Sequence, residues 1–401
     1  MIETNDNVSD ILTARSNKDR RFLIPERLKD ARKFMRLSQE ELGKEIGVSR
    51  QAISQFERGD RNPDARTLVG IQSVLKQPIE FFITQEFPEV GKSSPKFYRK
   101  FGSNTIRRRE ACDTYAEWFV QIVKQIDNFI NYPPVNIPSY DLSDLKEDTI
   151  DEAIDSIAEN VRKYWGLGLG PISNVISLLE ANGVISCRYE MAGEKVEAFS
   201  FWNDSRPFIF LASEKKAGAR IRFDLAHELG HLVLHRNIDK EVIEDKYALK
   251  KIEQQADRFA GAFLLPRHSF GNEIFMPRLE AFVSLKQRWK VSIQAMIYRC
   301  ANLELFDESQ ILNLRKQISF RKWRTNEPLD DPSIIPIEQP KLLSKVFKIL
   351  TEGGYVGIDE FKTIIPINPT FIEKMLNLDE GTLNKSKNYN KILNKFLTIK
   401  K

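Results

Sequence analysis

The spacing of apolar positions along the chain changes several times, and each change marks an element. From Pro25 to about Phe82 it reads as short helices with tight connections. Leu28, Ala31 and Met35 recur at helical spacing within Glu26 to Arg36. Ser38, with Glu41 three residues on, forms a capping box for a second helix that Gly47 ends. Ser49 caps a third, which runs to Arg58 and stops at Gly59; Asp64 opens a fourth, and Pro78 marks a further break. Residues 87–103, with Pro88, Gly91, Pro95 and Gly102, read as a linker. A long amphipathic helix follows, in which Tyr115, Trp118, Phe119, Ile122, Val123, Ile126, Phe129 and Ile130 form a stripe that is either core or a dimer seam.

Three prolines between Tyr132 and Pro138 break that pattern, and a second domain begins near Leu145. Two helices are expected there, Ile150 to Trp165 and Pro171 to Asn182, the second opened by its proline and closed by Gly183. Strand-like runs follow at 184–189, 196–202 and 207–212. Helices then span Ala217 to His235 and Lys250 to Leu264, the latter closed by Pro266. The remainder reads as mainly helical, with a proline-broken linker at Glu327 to Pro340 before a lysine-rich tail. The fold class is therefore multi-domain, mainly α with an α+β part. The expected divisions are a disordered start (1–22), an all-α unit (23–86), a linker with the long helix (87–144), a central α+β domain with a small sheet (145–327) and a helical tail domain (328–401).

A chain of 401 residues with 41% apolar composition can bury more than one core. The formal charge of +5 says little by itself, but the basic residues are unevenly placed. Residues 20–66 hold twelve Arg or Lys against eight acids, and residues 96–110 hold six against one. Such a face could meet phosphates. Arg107 to Arg109 read more simply as a solvated helix start. Cys112, Cys187 and Cys300 are odd in number and far apart, which argues against a disulfide framework or a thiolate metal site. No apolar run approaches a membrane span, and residues 1–22 contain no signal-peptide core, so a cytoplasmic protein without a membrane partner is expected.

Residues 227–231 read His-Glu-Leu-Gly-His within an expected helix, which puts His227 and His231 on one face a turn apart. Two imidazoles can then reach one ion. Zn2+ suits such nitrogen ligands and takes a third protein group while leaving a position open. Glu228 sits beside the ion, placed to take a proton from an attacking water as the catalytic base. The helix that follows offers Glu253 as the third ligand, and Asp257, four residues on, to hydrogen-bond a ligand imidazole from behind. His235 is the rival third ligand, but it lies about 12 Å along a straight helix from His227, too far without an intervening turn.

The stretch from Trp165-Gly-Leu-Gly-Leu-Gly-Pro-Ile172, through Phe223-Asp-Leu-Ala-His-Glu-Leu-Gly-His231, to Glu253-Gln-Gln-Ala-Asp-Arg-Phe-Ala260 and Leu264-Leu-Pro266 resembles the ImmA/IrrE family of metallopeptidases. Leu285-Lys-Gln-Arg-Trp289, Val291-Ser292 and the segment around Arg299 resemble that family's helical extension, so the likeness covers roughly Asp151 to Glu327. It implies a minimal gluzincin-like fold, His227, His231 and Glu253 as zinc ligands and Glu228 as base. Gln255 departs from the pattern, standing where members often carry a second glutamate. Many members cleave a helix-turn-helix repressor, relieving repression after stress such as DNA damage.

Residues 38–57 resemble the phage-repressor-type (XRE) helix-turn-helix. Leu42, Ile46, Val48, Ile53 and Phe56 face inward, and Ala52 permits close approach of the two helices. Arg50, Gln51, Ser54 and Gln55 are left outward on the second helix for base contacts, with Gln39 near a strand backbone at the start of the first. The combined expectation is a DNA-binding regulator, homodimeric, that is also a zinc endopeptidase acting on a helix-turn-helix repressor. Two alternatives use the same residues: a transcription factor whose peptidase fold senses a signal without turnover, and a peptidase whose helix-turn-helix docks a protein or single-stranded DNA.

Overall fold

The computed structural model describes residues 23–83, 88–97, 105–143, 145–189, 198–212 and 217–384. The expected disordered start, residues 98–104 of the linker and residues 385–401 of the tail lie outside the described residues. The N-terminal unit comprises α1 (Pro25–Phe34), α2 (Gln39–Ile46), α3 (Arg50–Arg58), α4 (Ala65–Leu75) and α5 (Ile79–Ile83). Its boundaries follow local chemistry. Ser38 accepts from the Glu41 amide while the Glu41 carboxylate accepts from the Ser38 amide. Ser49 and Asp64 cap α3 and α4, and Gly47 and Gly59 adopt left-handed backbone at the ends of α2 and α3. Close approach across the turn is due to Gly43: a Cβ there would stand 2.7 Å from the Val48 carbonyl oxygen. Ala52, expected to permit the approach from the second helix, is partly buried against the same core.

The long helix α6 (Thr105–Asp127) lies between this unit and the sheet. Its stripe is filled from within the chain: Trp118 meets Phe34 and Phe81, with centroids 4.9 and 5.2 Å away, while Phe119 meets Phe210 at 5.2 Å. The stripe is therefore core as far as Ile126, and Phe129 beyond it is exposed.

The sheet is small and mixed. Strands β1 (Ile185–Tyr189), β2 (Ala198–Asn203) and β3 (Arg206–Ala212) lie in the order β1-β3-β2, with β1 parallel and β2 antiparallel to β3. Near-continuous burial along all three shows that both faces are covered, which is why their sequences read as apolar runs. Alternation still sorts the side chains. Phe199, Phe201, Phe208 and Phe210 pack toward α6, whereas Ala198, Trp202, Ile209 and Leu211 pack toward the helices behind.

Those helices are α7 (Ile150–Tyr164), α8 (Val175–Ala181), α9 (Gly218–Leu234) and, after the short α10 (Lys240–Glu244), α11 (Lys246–Leu264). The expected helix from Pro171 starts four residues later, because the Asn174 side chain accepts from the Ser177 amide and caps it there. Helix α11 starts a turn earlier than expected, capped by Asp245. Behind α11 follow α12 (Arg267–Gly271), α13 (Leu279–Trp289), α14 (Ile293–Asn302) and α15 (Glu308–Phe320).

The stretch at 327–340 has no helix, as its prolines suggest, but it is anchored. Glu327 and Asp330 pair with the fully buried Lys286, and Glu338 pairs with buried Arg222 while accepting from the amides of Val175 and Ile176 at the start of α8. After it come α16 (Leu342–Glu352), α17 (Ile358–Ile364) and α18 (Pro369–Met375). Helices α16 and α18 pack on β1, and Phe371 meets Phe34 of the N-terminal unit at 5.0 Å. One apolar cluster thus runs from the N-terminal helices through α6 and the sheet into the C-terminal helices. Among the described residues no helix is long and apolar enough to cross a membrane.

Candidate metal centre and nucleic-acid interface

His227, Glu228 and His231 all lie on α9, whose whole length from Gly218 to Leu234 is buried except for Arg220 and Phe223. Glu253 and Asp257 come from α11. The two helices approach closely at Gly230, where a Cβ would meet the Ala256 Cα at 3.2 Å, and that contact sets the α11 carboxylates against the α9 imidazoles. His227 Nε2 and His231 Nε2 are 3.0 Å apart, with Glu253 Oε2 3.5 Å from the first and Glu253 Oε1 3.5 Å from the second. Tetrahedral zinc with bonds of about 2.0 Å holds its ligand atoms about 3.3 Å apart, so this trio has the right size and donor types. Among the described residues it is the one group of three or more such side chains that could hold an ion. Asp257 accepts from His227 Nδ1 at 2.8 Å, behind the trio, where sequence placed it.

The electrostatics follow from burial and from these contacts. Burial opposes the His227 cation, yet hydrogen bonds to Asp257 and Glu253 outweigh it and push the group up to about 9. His231, without a carboxylate of its own behind it, is pushed down to about 4 by burial. Burial would raise Glu253, but the two imidazoles hold it well below the usual carboxylate range. Burial pushes Glu228 up to about 7, with His227 acting against the shift. Its Oε2 is buried and has no hydrogen-bond partner, which costs free energy unless something else occupies that side of the trio. The donor set and this orphaned oxygen both fit a bound cation with a polar ligand beside Glu228.

Three neighbours make contacts that sequence reasoning did not assign. His235 caps the end of α9 and its Nδ1 lies 2.9 Å from His231 Nδ1. Gln255, which departs from the family pattern, places its Oε1 2.9 Å from His235 Nε2. Phe97, 3% exposed, stacks on the His231 ring at 4.4 Å with planes 4° apart. It arrives there because residues before it run along the free edge of β2: Ser94 donates its amide to the Trp202 carbonyl at 2.8 Å, and the Asp204 amide donates to the Lys92 carbonyl at 2.7 Å. The four-residue spacing of His235 from His231 was a visible signal, whereas nothing local foretells Phe97.

In the N-terminal unit Arg50 and Gln51 are exposed at the start of α3, and Ser54 and Gln55 are half-buried one turn on. All four lie on the second helix of the pair. Ser54 Oγ accepts from Arg58 at 3.1 Å. Gln39 is engaged within the unit: its amide donates to Glu57 at 2.8 Å, and Glu57 also takes two hydrogen bonds from Arg32. Arg107 pairs with Glu41 at 3.1 Å, both exposed, in keeping with a solvated helix start.

Residues 28–82 match the family profile described as a helix-turn-helix, and residues 180–301 match that of the IrrE N-terminal-like domain, a peptidase family. The chain joins these two domains. Similar proteins include an uncharacterized HTH-type transcriptional regulator, YqaE, of Bacillus subtilis (strain 168), 31% identical over 67 residues. That match covers 17% of this chain and 58% of the relative. An uncharacterized HTH-type transcriptional regulator of Sinorhizobium medicae (strain WSM419) is 28% identical over 83 residues, 21% of this chain and 60% of its own length. A counterpart in Rhizobium meliloti (strain 1021), R00410, matches to the same extent. The chain thus spans about three fifths of the curated relatives it matches. The chain thus carries a helix-turn-helix domain, a type that binds DNA, joined to a peptidase-like domain.

Proposed function

We propose that the protein is a DNA-binding regulator whose second domain is a zinc endopeptidase acting on a helix-turn-helix repressor, so that cleavage relieves repression under stress such as DNA damage. The observation that carries the reading is the trio of buried His227 and His231 with half-buried Glu253, and the unpartnered Glu228 oxygen beside it. Zinc, when bound, polarises the scissile carbonyl and makes water acidic enough to attack near neutral pH. Glu228, beside the trio with one carboxylate oxygen unpartnered, would take a proton from an attacking water and pass it to the departing amine. Asp257 holds the His227 ring by its Nδ1 hydrogen, which turns Nε2 toward the metal position. Arg50, Gln51, Ser54 and Gln55 read the major groove, Gln39 meets the backbone after yielding its bond to Glu57, and two copies bind two half-sites.

The sensor reading, with no turnover, is favoured by one observation: the imidazoles are nearly sealed, with Phe97 over His231. The deciding experiment incubates the purified chain, zinc-loaded and chelator-treated, with small helix-turn-helix repressors from the same genome, starting with any encoded near its gene. Cleavage only in the zinc-loaded sample supports the peptidase; an intact repressor in both supports the sensor.

A further inference from the structure

We propose that His235 and Gln255 are positioning residues, a hydrogen-bond relay that fixes which nitrogen of His231 faces the metal position; this rests on the metal reading above. His235 is 1% exposed, and both of its ring nitrogens are engaged, Nδ1 by His231 Nδ1 and Nε2 by Gln255 Oε1, each at 2.9 Å. A buried imidazole between two uncharged partners is neutral and carries one N–H. The Gln255 amide oxygen only accepts, so that hydrogen sits on His235 Nε2. His235 Nδ1 is then a bare acceptor, and a nitrogen 2.9 Å away must donate to it. His231 therefore carries its hydrogen on Nδ1.

The consequence falls on the other side of the ring. His231 Nε2 is left bare, and it is the atom 3.0 Å from His227 Nε2 and 3.5 Å from the Glu253 carboxylate. His227 is turned the same way by another route, its Nδ1 hydrogen going to the Asp257 carboxylate, which also only accepts, and its Nε2 facing His231 Nε2. The two ligands are thus oriented by different devices, one charged and one neutral. Were Gln255 to offer its NH2 group instead, the order would reverse and a hydrogen would point from His231 into the metal position. The relay also excludes His235 as a ligand, since it has no nitrogen to spare.

The chain has only four histidines, so ring nitrogens can be followed in the full-length protein labelled with 15N-histidine. Long-range 1H–15N correlation of the metal-free protein should show His231 protonated on Nδ1 and His235 on Nε2. In parallel, zinc affinity is measured by chelator competition for Gln255→Leu and Gln255→Glu, with the metal-free melting midpoint recorded for each. Gln255→Leu should bind zinc about 10–100-fold more weakly with the midpoint close to the parent's, and Gln255→Glu, which keeps an acceptor, should restore binding. A spectrum with His235 protonated on Nδ1, or parent-like zinc affinity in Gln255→Leu, overturns the relay. A parent chain with the expected tautomers that takes up no zinc overturns the metal reading instead.

Discussion

Replacing Asp155 with alanine should destabilise the peptidase-like domain by about 3 kcal/mol. Asp155 is 3% exposed and stands between two helices' arginines: Arg258 of α11 donates at 2.8 and 3.3 Å, and Arg299 of α14 donates at 2.9 Å to each carboxylate oxygen. Arg267 lies 3.7 Å away. The carboxylate is thus the counter-charge for guanidiniums that are 9% and 0% exposed. Removing one member of a buried ion pair costs about 3–5 kcal/mol, because the remaining charge stays buried and uncompensated. Two features pull the value to the lower end. Arg258 keeps Asp151 at 3.0 Å, and Arg299 keeps the Leu265 carbonyl at 3.1 Å. Asp155→Asn, which keeps one acceptor, should lose less. Urea unfolding followed by far-UV circular dichroism, with chelator present so that metal does not contribute, reads the change. A loss below about 1 kcal/mol for Asp155→Ala would show that the arginines are solvated, contrary to the packing described.

Other expectations follow from the same contacts. Burial, then the nearby Glu117, push Asp30 up to about 6; with a folded pKa above the unfolded one, its ionisation weakens the fold as pH rises from about 4 through 6. Asp30→Asn should therefore stabilise the protein by about 1–2 kcal/mol at pH 7 and by nothing at pH 3.5, as read by urea titration at the two pH values. Arg50→Ala should weaken binding to the specific duplex by about 1–3 kcal/mol and relax preference at one base, in a gel-shift selection with the full chain. An unchanged preference would remove Arg50 from base reading. Glu253→Ala should lower zinc content far more than His235→Ala, by metal analysis after dialysis, and the reverse ranking would displace Glu253 as ligand.

Much of this architecture was legible because it is written locally. The capping box at Ser38 and Glu41, the glycines that end α2 and α3, and the four-residue spacings of His227 with His231 and Glu253 with Asp257 are all short-range patterns. What escaped was written across the chain. Phe97 reaches His231 only because its segment pairs with β2, more than a hundred residues away. The Glu338 carboxylate that meets Arg222, and the C-terminal helices that close over β1, likewise depend on contacts no local period encodes. Gln255 looked like a conservative departure at a non-ligand position, and its use appears only when α9 and α11 are seen side by side. Pro171 drew the start of α8 too early because proline is favoured at a helix start, while the Asn174 cap decided the matter.

The central claim is most directly tested by Glu228→Gln in the repressor-cleavage assay. Glutamine keeps the size of the side chain but cannot accept the proton of the attacking water, so cleavage should fall by about 10²–10⁴-fold while zinc content and operator binding stay at the parent's level. A Glu228→Gln protein that cleaves at the parent's rate, or a parent that cleaves nothing while both proteins release the promoter equally, contradicts the account.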